Sequence, residues 1–239
     1  NDLRALEKAL ANKDVACVIT EPVLTNSCMV LPDPGFHAAL RRITKQTGTL
    51  LLIDETHTIS TGPGGYTRRY GLDPDLFVLG KPVAGGVPAS VWGFTDEVAR
   101  RLDAVRTETP PGHSGMGTTL SANALSLAAM RATLEQVMTD EAYAHMERLA
   151  ARLASVLQEV VATYGVPWHV VRVGARVEFI CARGPLRNGT EAEAAHAPAL
   201  EQAIHLALLN RGCLIAPFHN MMLVSPATTT AQVEALCQA

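Results

Sequence analysis

Lysine is scarce in this chain. Of 20 basic side chains only Lys8, Lys13, Lys45 and Lys81 are lysines, and the formal net charge is −3. There is no basic stripe with interleaved aromatics, so electrostatics argue against nucleic acid as a partner. Metal-ligand spacing is also missing. The five cysteines, Cys17, Cys28, Cys181, Cys213 and Cys237, are scattered, with no CxxC pair and no Cys/His cluster. Cys17, Cys181 and Cys213 lie in apolar runs, where a free thiol behaves as a small hydrophobe. A reduced, cytoplasmic protein is therefore expected. No apolar run approaches the ~18 residues of a membrane span, so no membrane partner is expected. The P-loop pattern GxxxxGK[ST] is absent: Asp75 stands where its first glycine would precede Lys81, and Pro82 replaces the Ser/Thr. No initiator methionine is present; "NDLRALEKAL" reads as the opening of the tail of something longer.

What is there suits a globular α/β protein. The 239 residues are 48% hydrophobic and 18% charged, enough to bury a substantial core. "DLRALEKAL" and "GFHAALRRITKQTG" have helical spacing, the second stopped by Gly48. "VACVIT" (15 to 20) and "TLLLIDE" (49 to 55) read as buried strands, and "LFVLG" and "ASVWGF" as two shorter ones. Continuous apolar runs separated by a helix predict a mainly parallel sheet covered on both faces. "STGPGGYTRRYGLDPD" is turn-rich and reads as loop. A helix is expected from Ser121 to about Glu135, and a longer one over "DEAYAHMERLAARLASVLQEVVATYG". After that, "WHVVRV" and "ARVEFICA" are strand-like, "GPLRNGTEAEAAHAP" a polar loop, and "ALEQAIHLALLNRG" a helix. "CLIAP", "MMLVS" and a closing helix follow. The change of texture puts a second, smaller α+β domain at 140–239, after a first at 1–139.

One lysine is out of character. Lys8, Lys13 and Lys45 lie in polar, helix-like surroundings, but Lys81 ends an apolar run among Gly80, Gly85 and Gly86. Lysine avoids such places unless paired or put to use. Asp54 ends the "LLLID" strand, and ligands of open α/β sheets bind outside the carboxyl ends of strands. An acid and an amine in one crevice suit pyridoxal phosphate, with a Schiff-base lysine and an aspartate on the pyridinium nitrogen. A structural Asp54–Lys81 ion pair remains the plainer alternative. Asp54-Glu55 is also a Walker B pattern, though without its P-loop. Gly117, Thr118, Thr119 and Ser121 precede or cap a helix and offer hydroxyls and amides to an anion, with Ser121 as a plain N-cap the alternative.

"EPV" (21 to 23), "PGF" (34 to 36), "LLIDE", "LGKPVAGGVPAS" and "GTTLSAN" occur in the order seen in class III, fold-type I pyridoxal-phosphate aminotransferases. The chain resembles in particular the branch containing glutamate-1-semialdehyde 2,1-aminomutase, over essentially all its residues but only about the second half of a family member. The resemblance implies Lys81 as the Schiff-base lysine and Asp54 as the pyridinium partner. It puts Thr56 against the ring, where the family usually has valine, and His57 beside the cofactor's phenolic oxygen. Thr119, or alternatively Thr118, matches the threonine reaching the phosphate of the neighbouring subunit's cofactor, which implies a homodimer.

Two departures stand out. Family members that grip an α-carboxylate through a C-terminal arginine carry it in a segment matching "NMMLVSPATT", where Met222-Leu223 stand here. That leaves Arg172, Arg176 and Arg187 as candidates. The family's N-terminal segment, with its first phosphate loop and ring-stacking aromatic, is not in this sequence. The expected activity is amino-group transfer between a small-molecule donor and a keto or aldehyde acceptor, through a lysine aldimine and a 1,3-proton shift. The alternatives are an intramolecular aminomutase on the same scaffold, or a non-catalytic fragment active only in an assembly.

Overall fold

A computed structural model describes residues 1–108, 110, 117, 119–216 and 220–239. The elements run in chain order α1 (Leu3–Leu10), β1 (Cys17–Thr20), α2 (Phe36–Thr47), β2 (Leu50–Asp54), α3 (Gly65–Tyr70), β3 (Leu76–Leu79), β4 (Val91–Phe94), α4 (Asp96–Thr107) and α5 (Ala124–Gln136). There follow α6 (Asp140–Tyr164), β5 (His169–Val173), β6 (Arg176–Ile180), α7 (Gly189–Ala195), α8 (Pro198–Asn210), β7 (Met221–Leu223) and α9 (Thr230–Gln238). Short 3-10 turns cover Thr58–Thr61 and Lys81–Ala84.

The first sheet has the order β1-β2-β3-β4, parallel except for the antiparallel β4. A mainly parallel α/β sheet is what the apolar runs predict. Its cover, however, is one-sided. Leu51 and Ile53 pack with Leu40 under α1 and α2, and Val18 and Phe36 join them. The other face of β1 leaves Ile19 66% exposed, and Trp92 of β4 is 48% exposed. The expectation of a sheet buried on both faces fails here because no element of this chain packs on that side of β1 and β4 among the described residues.

The second sheet, β5-β6-β7, is antiparallel. Helix α6 covers it through Tyr143, Met146, Leu149 and Leu153, packed with Val177, Val224 and Val233. Thr139 caps α6 by accepting the Ala142 N–H, and Gly165 ends it in the left-handed region. The β5–β6 turn docks on the Thr58–Thr61 turn of the first sheet. The Ala175 N–H donates to the Ser60 carbonyl (3.2 Å) and the Tyr143 hydroxyl to the Ile59 carbonyl (3.1 Å). A Cβ on Gly174 would lie 2.4 Å from Thr61 Cα, and its φ of +55° also favours glycine.

Four further local readings need correction. The stretch read as loop after Glu55 contains α3, whose first amides, Tyr66 N–H (3.1 Å) and Thr67 N–H, are capped by the distant Glu55 carboxylate. The polar loop after residue 183 contains α7, started by Asn188 accepting the Glu191 N–H. α5 begins at Ala124 rather than at Ser121, because Ala122 takes a φ of +56° and Asn123 is the cap. Residues 213–216 of "CLIAP" are irregular rather than strand.

Candidate active site

The parallel register sets the carboxyl ends of β1, β2 and β3 side by side, with Thr20 opposite Ile53 and Asp54 opposite Val78. Glu21 follows the first of these strands, Asp54 ends the second, and Lys81 follows the third by two residues. This is the edge of an open α/β sheet at which ligands bind.

Lys81 opens its 3-10 turn with φ +45°, a left-handed conformation that costs a non-glycine residue on the order of 1 kcal/mol. The turn is held down by α5: Val83 and Ala84 are buried against Ala129 and Met130. Gly85 lets the two come together, since a Cβ there would press to 3.0 Å on Thr133 Oγ1. The Lys81 side chain is exposed, and no salt bridge to it occurs among the described residues. The structural Asp54–Lys81 ion pair is therefore not made.

Asp54 is half-buried, and its Oδ1 accepts the Thr56 N–H at 2.8 Å. Thr56 Oγ1 accepts the Gly80 N–H at 3.1 Å, stitching the end of β2 to the residue before Lys81. Glu55 points the other way. It is fully buried, accepting from Thr58 Oγ1 (2.5 Å) and from the α3 amides, so it is a structural cap rather than a metal-facing acid. Among the described residues no cluster of His, Cys, Asp or Glu is arranged to hold a metal.

His57 is buried rather than a solvated loop histidine. Its Nδ1 lies 2.7 Å from Thr25 Oγ1, and the Thr25 hydroxyl donates to the Glu21 carboxylate. The His57 carbonyl accepts from Ser60 Oγ and from Arg176 Nε, both at 2.9 Å. Glu21 was quoted in "EPV" but given no role by sequence reasoning. It is the acid whose charge interacts with both Asp54 and Lys81, and burial raises its pKa against the Thr25 hydrogen bond. Only the position of its residue at the end of β1 could have pointed to it.

Thr118 lies outside the described residues. Thr119 is exposed in a turn before α5 and has no hydrogen bond to the Lys81–Asp54 group among the described residues. Ser121 is likewise exposed and ahead of the helix. A sizeable cavity lined by Phe36, His37, Leu51, Tyr66 and Asp73 is on the other face of β2 from Asp54 and includes none of this group. Asp75 is in a structural pair, with Arg41 Nη1 at 2.6 Å and the Leu51 N–H on the same carboxylate.

An α/β sheet that gathers an amine and acids at its strand ends is an enzyme architecture. A family model described as aminotransferase class-III matches residues 1–239, and the chain belongs to that family, an enzyme class that uses pyridoxal phosphate. Among curated relatives, a glutamate-1-semialdehyde 2,1-aminomutase of Thermomicrobium roseum is 37% identical over 91% of this chain and 50% of its own length. One of Brevibacillus brevis is 35% identical over 100% of this chain and 55% of its own. A solved glutamate-1-semialdehyde-aminomutase from Pseudomonas aeruginosa PAO1 superposes with a TM-score of 0.96 at 52% identity, covering 100% of this chain and 53% of that one. A β-phenylalanine aminotransferase from Variovorax paradoxus gives 0.84 at 28%, covering 99% and 54%. The chain spans about half the length of the relatives it matches. Among the described residues no helix is long and apolar enough to cross a membrane.

Proposed function

We propose that this chain carries the lysine-bearing part of a pyridoxal-phosphate enzyme that moves an amino group from a small-molecule donor to a keto or aldehyde carbon. The observation that carries the reading is Lys81, held in a left-handed turn at a strand end beside Asp54. The donor set fits the cofactor. Lys81 offers an exposed amine with no competing salt bridge among the described residues. Asp54 has one oxygen engaged by Thr56 and the other available to a ring nitrogen. When bound, the cofactor supplies an electron sink that depends on a protonated ring.

In this reading Lys81 holds the cofactor through Nζ and, once released, carries a proton at the substrate carbon. Asp54 keeps the ring nitrogen protonated by an opposite charge. Thr56 keeps Asp54 and Gly80 in register and faces the ring, with His57 beside it. Thr119 or Thr118 serves the phosphate of a partner's cofactor in a homodimer. Residues 1–139 form the C-terminal part of the cofactor-binding domain and residues 140–239 the small domain.

A second reading, in which the amino group moves within one substrate, is favoured by the aminomutase names of the curated relatives and of the Pseudomonas structure. The two differ in whether a keto product is released. The test of the common part is borohydride reduction of the cofactor-loaded protein followed by peptide mapping. Label is expected on the Lys81 peptide. Label on Lys8, Lys13 or Lys45 instead would sink the assignment.

A further inference from the structure

Three polar side chains from two segments meet behind the strand ends, shielded from solvent. Thr25 is 1% exposed and His57 8%, and Glu21 is half-buried. The turn that carries Thr25 is closed by the Leu24 N–H donating to the Val30 carbonyl (3.1 Å) and the Val30 N–H to the Ser27 carbonyl (3.2 Å). Val23 and Met29 root that turn against Val173 and Met221 of the second sheet. The His57 backbone is pinned from two sides, its carbonyl accepting from Ser60 Oγ and from Arg176 Nε. The hydroxyl and the imidazole are thus held at fixed positions.

Their bonds cannot run in either direction at will. An ionised carboxylate only accepts, a hydroxyl has one proton to give, and a neutral imidazole donates from one nitrogen and accepts at the other. Glu21 accepts from the Thr25 hydroxyl. Burial, the largest influence, raises the Glu21 pKa from 4.5, with the Asp54 charge adding to it. The Thr25 hydroxyl and amide and the Lys81 charge oppose the rise and favour the ionised acid. With Glu21 ionised, the one Thr25 hydroxyl proton lies on the carboxylate bond. The 2.7 Å contact between Thr25 Oγ1 and His57 Nδ1 then takes its proton from the imidazole. Reversing that contact would set the Thr25 oxygen against the carboxylate with no proton between them.

We infer that Glu21 and Thr25 are positioning residues that keep the proton of neutral His57 on Nδ1, so that Nε2 is the nitrogen with a lone pair to offer. The hydrogen bond at one ring nitrogen decides what the other can do. The bearing on amino transfer rests on the pyridoxal-phosphate reading above, which puts His57 beside the cofactor. An accepting Nε2 receives a hydrogen bond or a proton there, where the opposite tautomer would donate one. Thr25 separates this effect from that of Glu21, whose charge also acts on Lys81.

The test uses the full-length protein that contains this chain, with histidine labelled by nitrogen-15 at Nδ1 only, both cofactor-free and cofactor-loaded. The His57 signal is found by difference from His57→Gln. Solid-state spectra are taken at a pH where that signal has stopped titrating, so that the ring is neutral. The wild type is expected to show a protonated Nδ1. Thr25→Val, which keeps the shape but removes the hydroxyl, should move the signal toward the bare-nitrogen position, and Thr25→Ser should hold it in place. In the loaded protein Thr25→Val should lower kcat on the order of 10-fold, and Thr25→Ser should stay within about threefold of wild type.

A bare Nδ1 in the wild type would overturn the inference without any variant. So would a Thr25→Val spectrum identical to that of the wild type. A valine variant with a shifted tautomer and an unchanged kcat would overturn the role of Thr25 in transfer. If no donor perturbs the cofactor, the transfer reading fails instead, and the cofactor-free spectra still decide the tautomer.

Discussion

Strands β4 and β6 are of similar length and opposite character. β4 is apolar and mostly uncovered, with Val91, Trp92 and Phe94 all exposed. In β6 every residue is buried, yet two of the five, Arg176 and Glu178, are charged types. Exposed aromatics side by side, as Trp92 and Phe94 are with tilted rings 5.2 Å apart, belong to a face that expects cover. Buried polar groups with few partners belong to a face that expects a ligand or bears a cost. The first sheet thus leaves the apolar residues of β4 uncovered, and the second holds in Glu178 a buried polar atom without a partner among the described residues.

The largest effect should come from completing the first sheet. The chain spans about half the length of its relatives, and the resemblance implies a first phosphate loop and a ring-stacking aromatic outside these residues, so the 239-residue chain alone should hold pyridoxal phosphate weakly. Losing two charge-assisted phosphate bonds at about 1.5–3 kcal/mol each weakens affinity on the order of 10²-fold or more. Cofactor titration and size-exclusion chromatography on this chain, and on a version extended at its N-terminus, make the comparison. Acrylamide quenching of Trp92, read in a Trp168→Phe background so that Trp168 does not contribute, should drop on extension. A 239-residue monomer that binds the cofactor tightly and transaminates would break both the dimer argument and the reading of β4 as a face awaiting cover.

Next in size is Asp54→Asn. The substitution keeps the shape and the Thr56 hydrogen bond but removes the charge that keeps a ring nitrogen protonated. The rate constant of amino transfer should fall by roughly 10²–10³-fold, with the cofactor still bound. Stopped-flow absorbance of the first half-reaction measures it. A near-normal rate in the asparagine variant would remove Asp54 from its assigned role.

The contrast between the strands also marks how far the sequence could be read. Lys81 and Asp54 were legible because each ends an apolar run, and strand ends are local features. α2 and α6 were legible from period, caps and a glycine stop. The fate of the three arginines was not. Whether Arg176 is buried and Arg172 exposed depends on the β5–β6 register and on the docking of Gly174 against Thr61, a contact between residues more than a hundred positions apart. The same holds for Glu55, which looks like a catalytic acid beside Asp54 until α3 folds back onto it. α3 itself was hidden because its cap comes from another segment, where local rules look for Ser, Thr, Asp or Asn. Glu21 was in plain view as a residue, but its neighbours Lys81 and Asp54 come together only through parallel pairing.

The smallest effect tests the inside of β6 directly. Glu178 is 3% exposed and its Oε2 has no hydrogen-bond partner among the described residues. Burial, with the Glu201 charge adding to it, pushes its carboxyl from 4.5 up to about 8. Below pH 4.5 the group is protonated whether folded or unfolded and costs nothing through linkage. Between pH 4.5 and 8 the unfolded chain releases a proton that the folded chain keeps, so stability falls as pH rises, and above pH 8 the penalty is constant. Glu178→Gln removes that ionisation. Urea unfolding of the variant should match the parent near pH 4.5 and gain up to roughly 3 kcal/mol by pH 7. Trp92→Gln on the exposed β4 is the control, and its stability difference should not change with pH over the same range. A Glu178→Gln variant that is less stable than the parent by the same amount at pH 5 and pH 8 would show that the carboxyl has a partner in solution, and β6 would lose its place in the comparison.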